Sequence, residues 1–229
     1  MRRLFSSGSA EVQTGEQTDA SIEEVRGIDR QVIQLFALVE EAVAGSTHAL
    51  LTGDREAARE LVAKDAALDA LYRDLEAQVH GLLMEGGLPK NRKQWLLALL
   101  SMLSELERSG DLAEHVAQRA ARSLPAELPA RVRGLLERMG EVASQMWTMA
   151  ADAYADRAGG QEQNERIDRL DDEIDDLHVQ LIAEVASGCV PVPVAIELAL
   201  VGRFYERLGD HAVNITRRMP ARMRRDAIS

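Results

Sequence analysis

One pattern of acidic residues is written twice along this chain, and the repeat constrains the fold more than any other feature. The first copy reads Asp65-Ala66-Ala67-Leu68-Asp69, then Glu107-Arg108-Ser109-Gly110-Asp111. The second reads Asp171-Asp172-Glu173-Ile174-Asp175, then Glu206-Arg207-Leu208-Gly209-Asp210. Each carboxylate pair is spaced i,i+4, which sets both side chains on one face of a helix. The interval from Asp65 to Asp171 is 106 residues, and that from Glu107 to Glu206 is 99. Two copies of one helical unit, each holding four carboxylates, is the architecture this spacing predicts.

The remaining patterning agrees. Ile28, Val32, Leu35, Val39 and Val43 recur at helical period, as do Leu61, Leu68, Leu71, Leu75, Val79 and Leu82. Turn signals stand at Gly53-Asp54, Gly86-Gly87-Leu88-Pro89, Pro125 to Pro129, Ala158-Gly159-Gly160 and Gly188 to Pro193. They divide the chain into six helices over about 22–51, 54–84, 92–122, 129–157, 161–186 and 194–219. Aromatic residues are only 3% of the chain, so alanine and aliphatic residues must fill the core, which favours helix over sheet. Short connections make neighbouring helices antiparallel. The expected fold is all-α, two tandem antiparallel three-helix bundles over residues 22–124 and 127–219. An elongated helical solenoid is the alternative. Residues 1–21 read as a disordered polar extension, and 220–229 as a basic tail with a frayed helix end.

Level matching ties the carboxylates together. Asp69 stands about as far before the second turn as Glu107 stands after it, and Asp175 and Glu206 flank the turn near residue 190 in the same way. With a constant rise per residue, antiparallel pairing sets each group at one height. Asp65, Asp69, Glu107 and Asp111 therefore form one candidate metal site; Asp171, Asp175, Glu206 and Asp210 form the other. His115 and Asn214 each continue a ligand stripe by one turn, and His178 and His211 are further candidates in the second unit. Oxygen-rich sites suit magnesium, calcium, manganese and iron, with zinc a poorer match for want of cysteine. Gly110 and Gly209, one residue before each aspartate, read as points of close helix approach. Arg203, three residues before Glu206, is placed to pair with it.

The net charge of −11 argues against nonspecific nucleic-acid binding and for cationic partners. Cys189 is the only cysteine, so no intrachain disulfide forms, compatible with a cytoplasmic setting. No apolar run reaches membrane-spanning length. The arginines from Arg217 to Arg225 read as a solubilising end, with contact to an anionic membrane surface as the second reading. No phosphate-cradling loop or histidine–glutamate metalloprotease motif is present, and Glu-x-x-His pairs of di-iron oxidases are missing. An enzyme is not expected.

At Leu106-Glu107-Arg108-Ser109-Gly110-Asp111 and Tyr205-Glu206-Arg207-Leu208-Gly209-Asp210-His211-Ala212-Val213-Asn214-Ile215, the chain resembles the PhoU family of phosphate-signalling proteins. The resemblance runs from about residue 22 to 219. It implies two three-helix bundles with metal ions held by the acidic motifs. It also implies a cytoplasmic, homodimeric regulator acting with a phosphate ABC transporter ATPase and a membrane sensor histidine kinase to keep the starvation response off. A role beside a low-affinity phosphate permease, or a carboxylate-metal enzyme, is the alternative. Two departures stand out: the polar N-terminal extension, and Gly160 where the first unit has Asp54.

Overall fold

The computed structural model describes residues 8–85, 87–122, 124, 128–155, 161–218 and 221–228. Seven helices cover them: α1 (Gly8–Thr52), α2 (Arg55–Glu85), α3 (Lys90–Arg122), α4 (Ala130–Tyr154), α5 (Gln161–Ala186), α6 (Val192–Arg218) and α7 (Ala221–Ile228). No strand occurs among the described residues. The first break forms as the sequence dictates. Gly53 takes a left-handed φ of 69°, a conformation that strains any side chain with a Cβ. Asp54 then caps α2, its Oδ1 accepting from the Glu56 and Ala57 amides at 3.1 and 3.0 Å. Gly87 and Gly188 turn the other two hairpins with φ of 75° and 84°. The breaks expected at Gly86, Pro125 and Ala158-Gly159-Gly160 lie outside the described residues, as do residues 1–7.

Helices α1, α2 and α3 pack pairwise into one closed bundle, and α4, α5 and α6 into another. Closure of both rules out the solenoid. The bundles join through α1 on α4 and α3 on α6, while among the described residues α2 touches only α1 and α3, and α5 only α4 and α6. Both joining pairs are antiparallel. Contacts along α3 climb from Ser109 to His115 to Arg119 as those along α6 descend from His211 to Phe204 to Glu197. The repeat is thus folded face to face about an approximate two-fold axis, and the two hairpin turns point to opposite ends. One core runs through both bundles, with Phe36, Trp95, Trp147, Tyr154 and Tyr205 its largest buried members.

Helix α1 begins at Gly8, inside the segment read as a polar extension. Ala10, Glu11, Gln13, Glu16 and Gln17 are good helix formers, while Gly15 in the same stretch is a poor one. The basic C-terminal end differs from expectation. It is not a frayed terminus but the short helix α7, packed on α1, α3 and α4. Ala227 is buried, the Ala227 carbonyl accepts from Arg92 Nε at 3.1 Å, and the Asp226 carbonyl accepts from Asn91 Nδ2.

The α1–α4 crossing depends on one missing side chain. A Cβ at Gly140 would overlap Thr47 Cγ2 and stand 2.8 Å from Thr47 Oγ1. Thr47 cannot swing aside freely, because its hydroxyl bonds the Val43 carbonyl and the Tyr205 hydroxyl, both at 2.8 Å. Gly140→Ala is expected to cost about 1–3 kcal/mol as overpacking, despite the better helix propensity of alanine. Urea unfolding of the variant checks this, and unchanged or raised stability would refute the tight crossing.

Candidate metal centre

The antiparallel hairpin of α2 and α3 brings the first motif together. Asp65, Asp69 and Asp111, all half-buried, each offer a carboxylate oxygen, and these oxygens lie within 4.8 Å of one another. The glycine of the motif makes that approach. A Cβ at Gly110 would stand 2.8 and 2.9 Å from the two δ-carbons of Leu68, so a side chain there would force Leu68 to shift. The second unit repeats the device, with a Gly209 Cβ falling 3.2 Å from Ile174 Cγ2 and a Gly202 Cβ 2.8 Å from Leu181 Cδ2.

Crowded carboxylates resist ionisation here. Asp65 is pushed from the ordinary 3.8 up to about 6, first by burial, then by the charges of Glu114, Asp69, Asp111 and Glu107. Glu107 is raised as well, by burial first and then by Asp111 and Asp69, with Arg108 opposing. Glu114 escaped the sequence reading. It lies three residues past Asp111, and among the neighbouring charges it acts most strongly on Asp65. Its spacing on α3 was the available signal. A small cavity lined by Leu38, Leu61, Leu68 and Gly110 opens beside Asp65 and Glu114.

The second motif is arranged alike but less tightly. Asp171 is raised to about 6 by burial, then by Asp210 and Asp175, with Arg217 opposing. Glu206 is raised by burial and by Asp210 and Asp175, while Arg203 lowers it. Arg203 pairs with Glu206 as the i,i+3 spacing predicts, and Arg217 pairs with Asp168 at 2.7 Å. Among the described residues only the first motif draws three ligand atoms within 4.8 Å.

The histidines are placed elsewhere. His115 stacks on Phe204 across the bundle seam, ring centroids 5.4 Å apart. His178 packs against α6 beside Gly202 and is lowered in pKa by burial and Arg203. His211 is buried in the seam, its Nδ1 2.9 Å from Ser109 Oγ and its Nε2 3.5 Å from Glu105 Oε2. Asn214 is half-buried on α6.

A sign follows for pH. Asp65 and Asp171 hold a proton in the folded state that the unfolded chain has already released. Their stabilising contribution is fully present below pH 3.8 and is lost as pH rises through about 6. Metal-free protein should therefore lose stability across that window, and Asp65→Asn should flatten the loss. Urea midpoints measured through the window check this, and a rise in stability over the same interval with no change in Asp65→Asn would contradict it.

The PhoU domain family model matches residues 32–120 and 136–219, one segment on each bundle. The chain is 31% identical over 192 residues to the phosphate-specific transport system accessory protein PhoU homolog 1 of Mycobacterium tuberculosis, covering 81% of this chain and 85% of that protein. It is 26% identical over 197 residues to the PhoU homolog of Rhizobium meliloti, covering 84% and 82%. Crystal structures of PhoU from Pseudomonas aeruginosa and of the phosphate transport system regulatory protein PhoU from Streptococcus pneumoniae share the fold. Their TM-scores are 0.77 and 0.74, each at 22% identity. The first covers 88% of this chain and 96% of its own, the second 86% and 93%.

Proposed function

Because the chain belongs to the PhoU family, we propose that it is a metal-binding regulatory adaptor of phosphate uptake and phosphate-starvation signalling. In this reading it works in the cytoplasm as a homodimer, with a phosphate ABC transporter ATPase and a sensor histidine kinase, and holds the response off when phosphate is plentiful. The observation that carries the metal part is the convergence of Asp65, Asp69 and Asp111 within 4.8 Å. A divalent cation there would offset both the burial and the carboxylate repulsion that raise the Asp65 pKa. Glu107 completes the first set. Asp171, Asp175, Glu206 and Asp210 make the second, with Asn214 as an outer ligand. Oxygen donors suit manganese, magnesium, calcium or iron, and zinc less well.

An adaptor is favoured over an enzyme by the way the fold uses its nucleophile-like groups. Ser109, His211 and Glu105 lie in series like a hydrolase triad, yet Ser109 is fully buried and its hydroxyl is 2.7 Å from the Glu105 carbonyl. That series is packing between bundles, closed to substrate. The deciding experiment deletes the gene and follows phosphate-regulated transcription in high phosphate. Constitutive starvation signalling, corrected by the intact gene, is expected. Normal repression in the deletion strain would reject the adaptor.

A further inference from the structure

Of the large exposed apolar side chains among the described residues, five lie on one hairpin, while Ile33, Met84 and Leu97 stand apart from it. Val179 and Ile182 on α5, and Val192, Ile196 and Leu200 on α6, are 68%, 38%, 72%, 56% and 38% exposed. All five stand on the two arms of the antiparallel α5–α6 hairpin. Ile182 and Ile196 stand equally far from its turn at Cys189, and Val179 and Leu200 are nearly level one turn further in. On α6 the spacing 192, 196, 200 draws a single stripe.

This tip is also electrically silent. From Leu177 to Gly202 the only Asp, Glu, Lys or Arg residues are Glu184 and Glu197. Each is neutralised from a neighbouring helix, Glu184 by Arg131 Nε at 2.8 Å and Glu197 by Arg119 Nε at 3.0 Å. His178, the one histidine there, has its pKa lowered by burial and so is held neutral. The equivalent hairpin of the first bundle is different. It carries Glu85, Lys90, Arg92 and Lys93, and α7 docks on its α3 arm through Asn91 and Arg92. The two tips point to opposite ends, and only the second is both apolar and free of net charge.

We infer that the α5–α6 tip is a self-association surface, through which two copies of this chain meet about a two-fold axis. The inference rests on the homodimeric reading above and locates its interface. Charge selects the occupant. A chain of net charge −11 repels its own copy over most of its surface, whereas an uncharged end lets two copies touch with their acidic bodies farthest apart. An apolar patch on one copy is complementary to the same patch on the other, the self-matching that a two-fold contact demands. Basic partners gain nothing from an uncharged end, and they are served by the acidic remainder. Such a contact strengthens with salt, because screening removes residual repulsion while apolar burial is retained.

Sedimentation equilibrium of the full chain, at low and high salt, reads the association. The exposed Cys189, the chain's one thiol, lets a bis-maleimide trap it: each thiolate adds across one maleimide double bond, joining two tips covalently. Dimer that persists or tightens with salt, cross-links through Cys189, and is weakened at least tenfold by Ile196→Asp with unchanged helicity is expected. Dimer that is indifferent to Ile196→Asp and does not cross-link overturns the interface while leaving the homodimeric reading intact. A chain that stays monomeric at all concentrations overturns both. Monomer that co-sediments with zwitterionic phosphatidylcholine vesicles, and loses this in Ile196→Asp, assigns the tip to lipid instead and overturns the proposal.

Discussion

Asp29→Ala is expected to destabilise the protein by about 3–5 kcal/mol, the range for removing one partner of a buried ion pair. Arg224 reaches back from α7 and clamps this aspartate with two parallel bonds, Nε to Oδ1 and Nη2 to Oδ2, each 2.6 Å. Tyr154 of α4 donates to the same Oδ1 at 2.9 Å, and the guanidinium lies 5.2 Å from its ring centroid. The Asp29 and Arg224 side chains are only 8% and 13% exposed, so without the carboxylate a guanidinium and a phenol are left inside with no acceptor. Replacing both charges, as in Asp29→Leu with Arg224→Met, should return most of the loss, since apolar groups of similar volume often match a buried pair. Urea unfolding of the single and double variants separates these outcomes. A single-variant loss under about 1 kcal/mol would show that the clamp does not hold α7 down.

That clamp also marks where the sequence stops being legible. The two bundles could be read from local signals: apolar stripes at helical period, glycines and prolines at the breaks, and a repeated acidic motif whose copies stand level across each hairpin. Arg224 and Asp29 are 195 residues apart, and five arginines near a chain end read as a solvated face because nothing local says otherwise. The seam between the bundles was hidden for the same reason. Ser109 and His211 sit inside the acidic motifs, so His211 read as a candidate ligand. Only the antiparallel docking of α3 on α6 turns it toward Ser109 and Glu105. The difference between the two acidic clusters was partly written in the chain. Arg203 precedes Glu206 by three residues, where the first copy has Ser104 before Glu107, and that arginine draws Glu206 into an ion pair. Glu114 has no such counterpart in the second copy, where Val213 stands at the matching position.

These differences set the sign of the second large effect. Asp65→Asn with Asp111→Asn should make the metal-free protein more stable, because it removes two of the charges that crowd the first cluster. The same variant should lose the stabilisation that manganese gives the intact protein at this site, about 2.7 kcal/mol when the free ion is a hundredfold above its dissociation constant. A merely structural pair of aspartates would not reverse sign between metal-free and metal-loaded conditions, so thermal melts in chelator and in excess manganese form the test. Asp171→Asn with Asp210→Asn should give a smaller change of the same kind. There Arg217 already lowers Asp171 and Arg203 already occupies Glu206, so less repulsion remains for a cation to relieve. Equal responses from the two variants would mean that the arginines do not weaken the second cluster. A first-cluster variant that keeps its full manganese response would remove Asp65 and Asp111 from the ligand set.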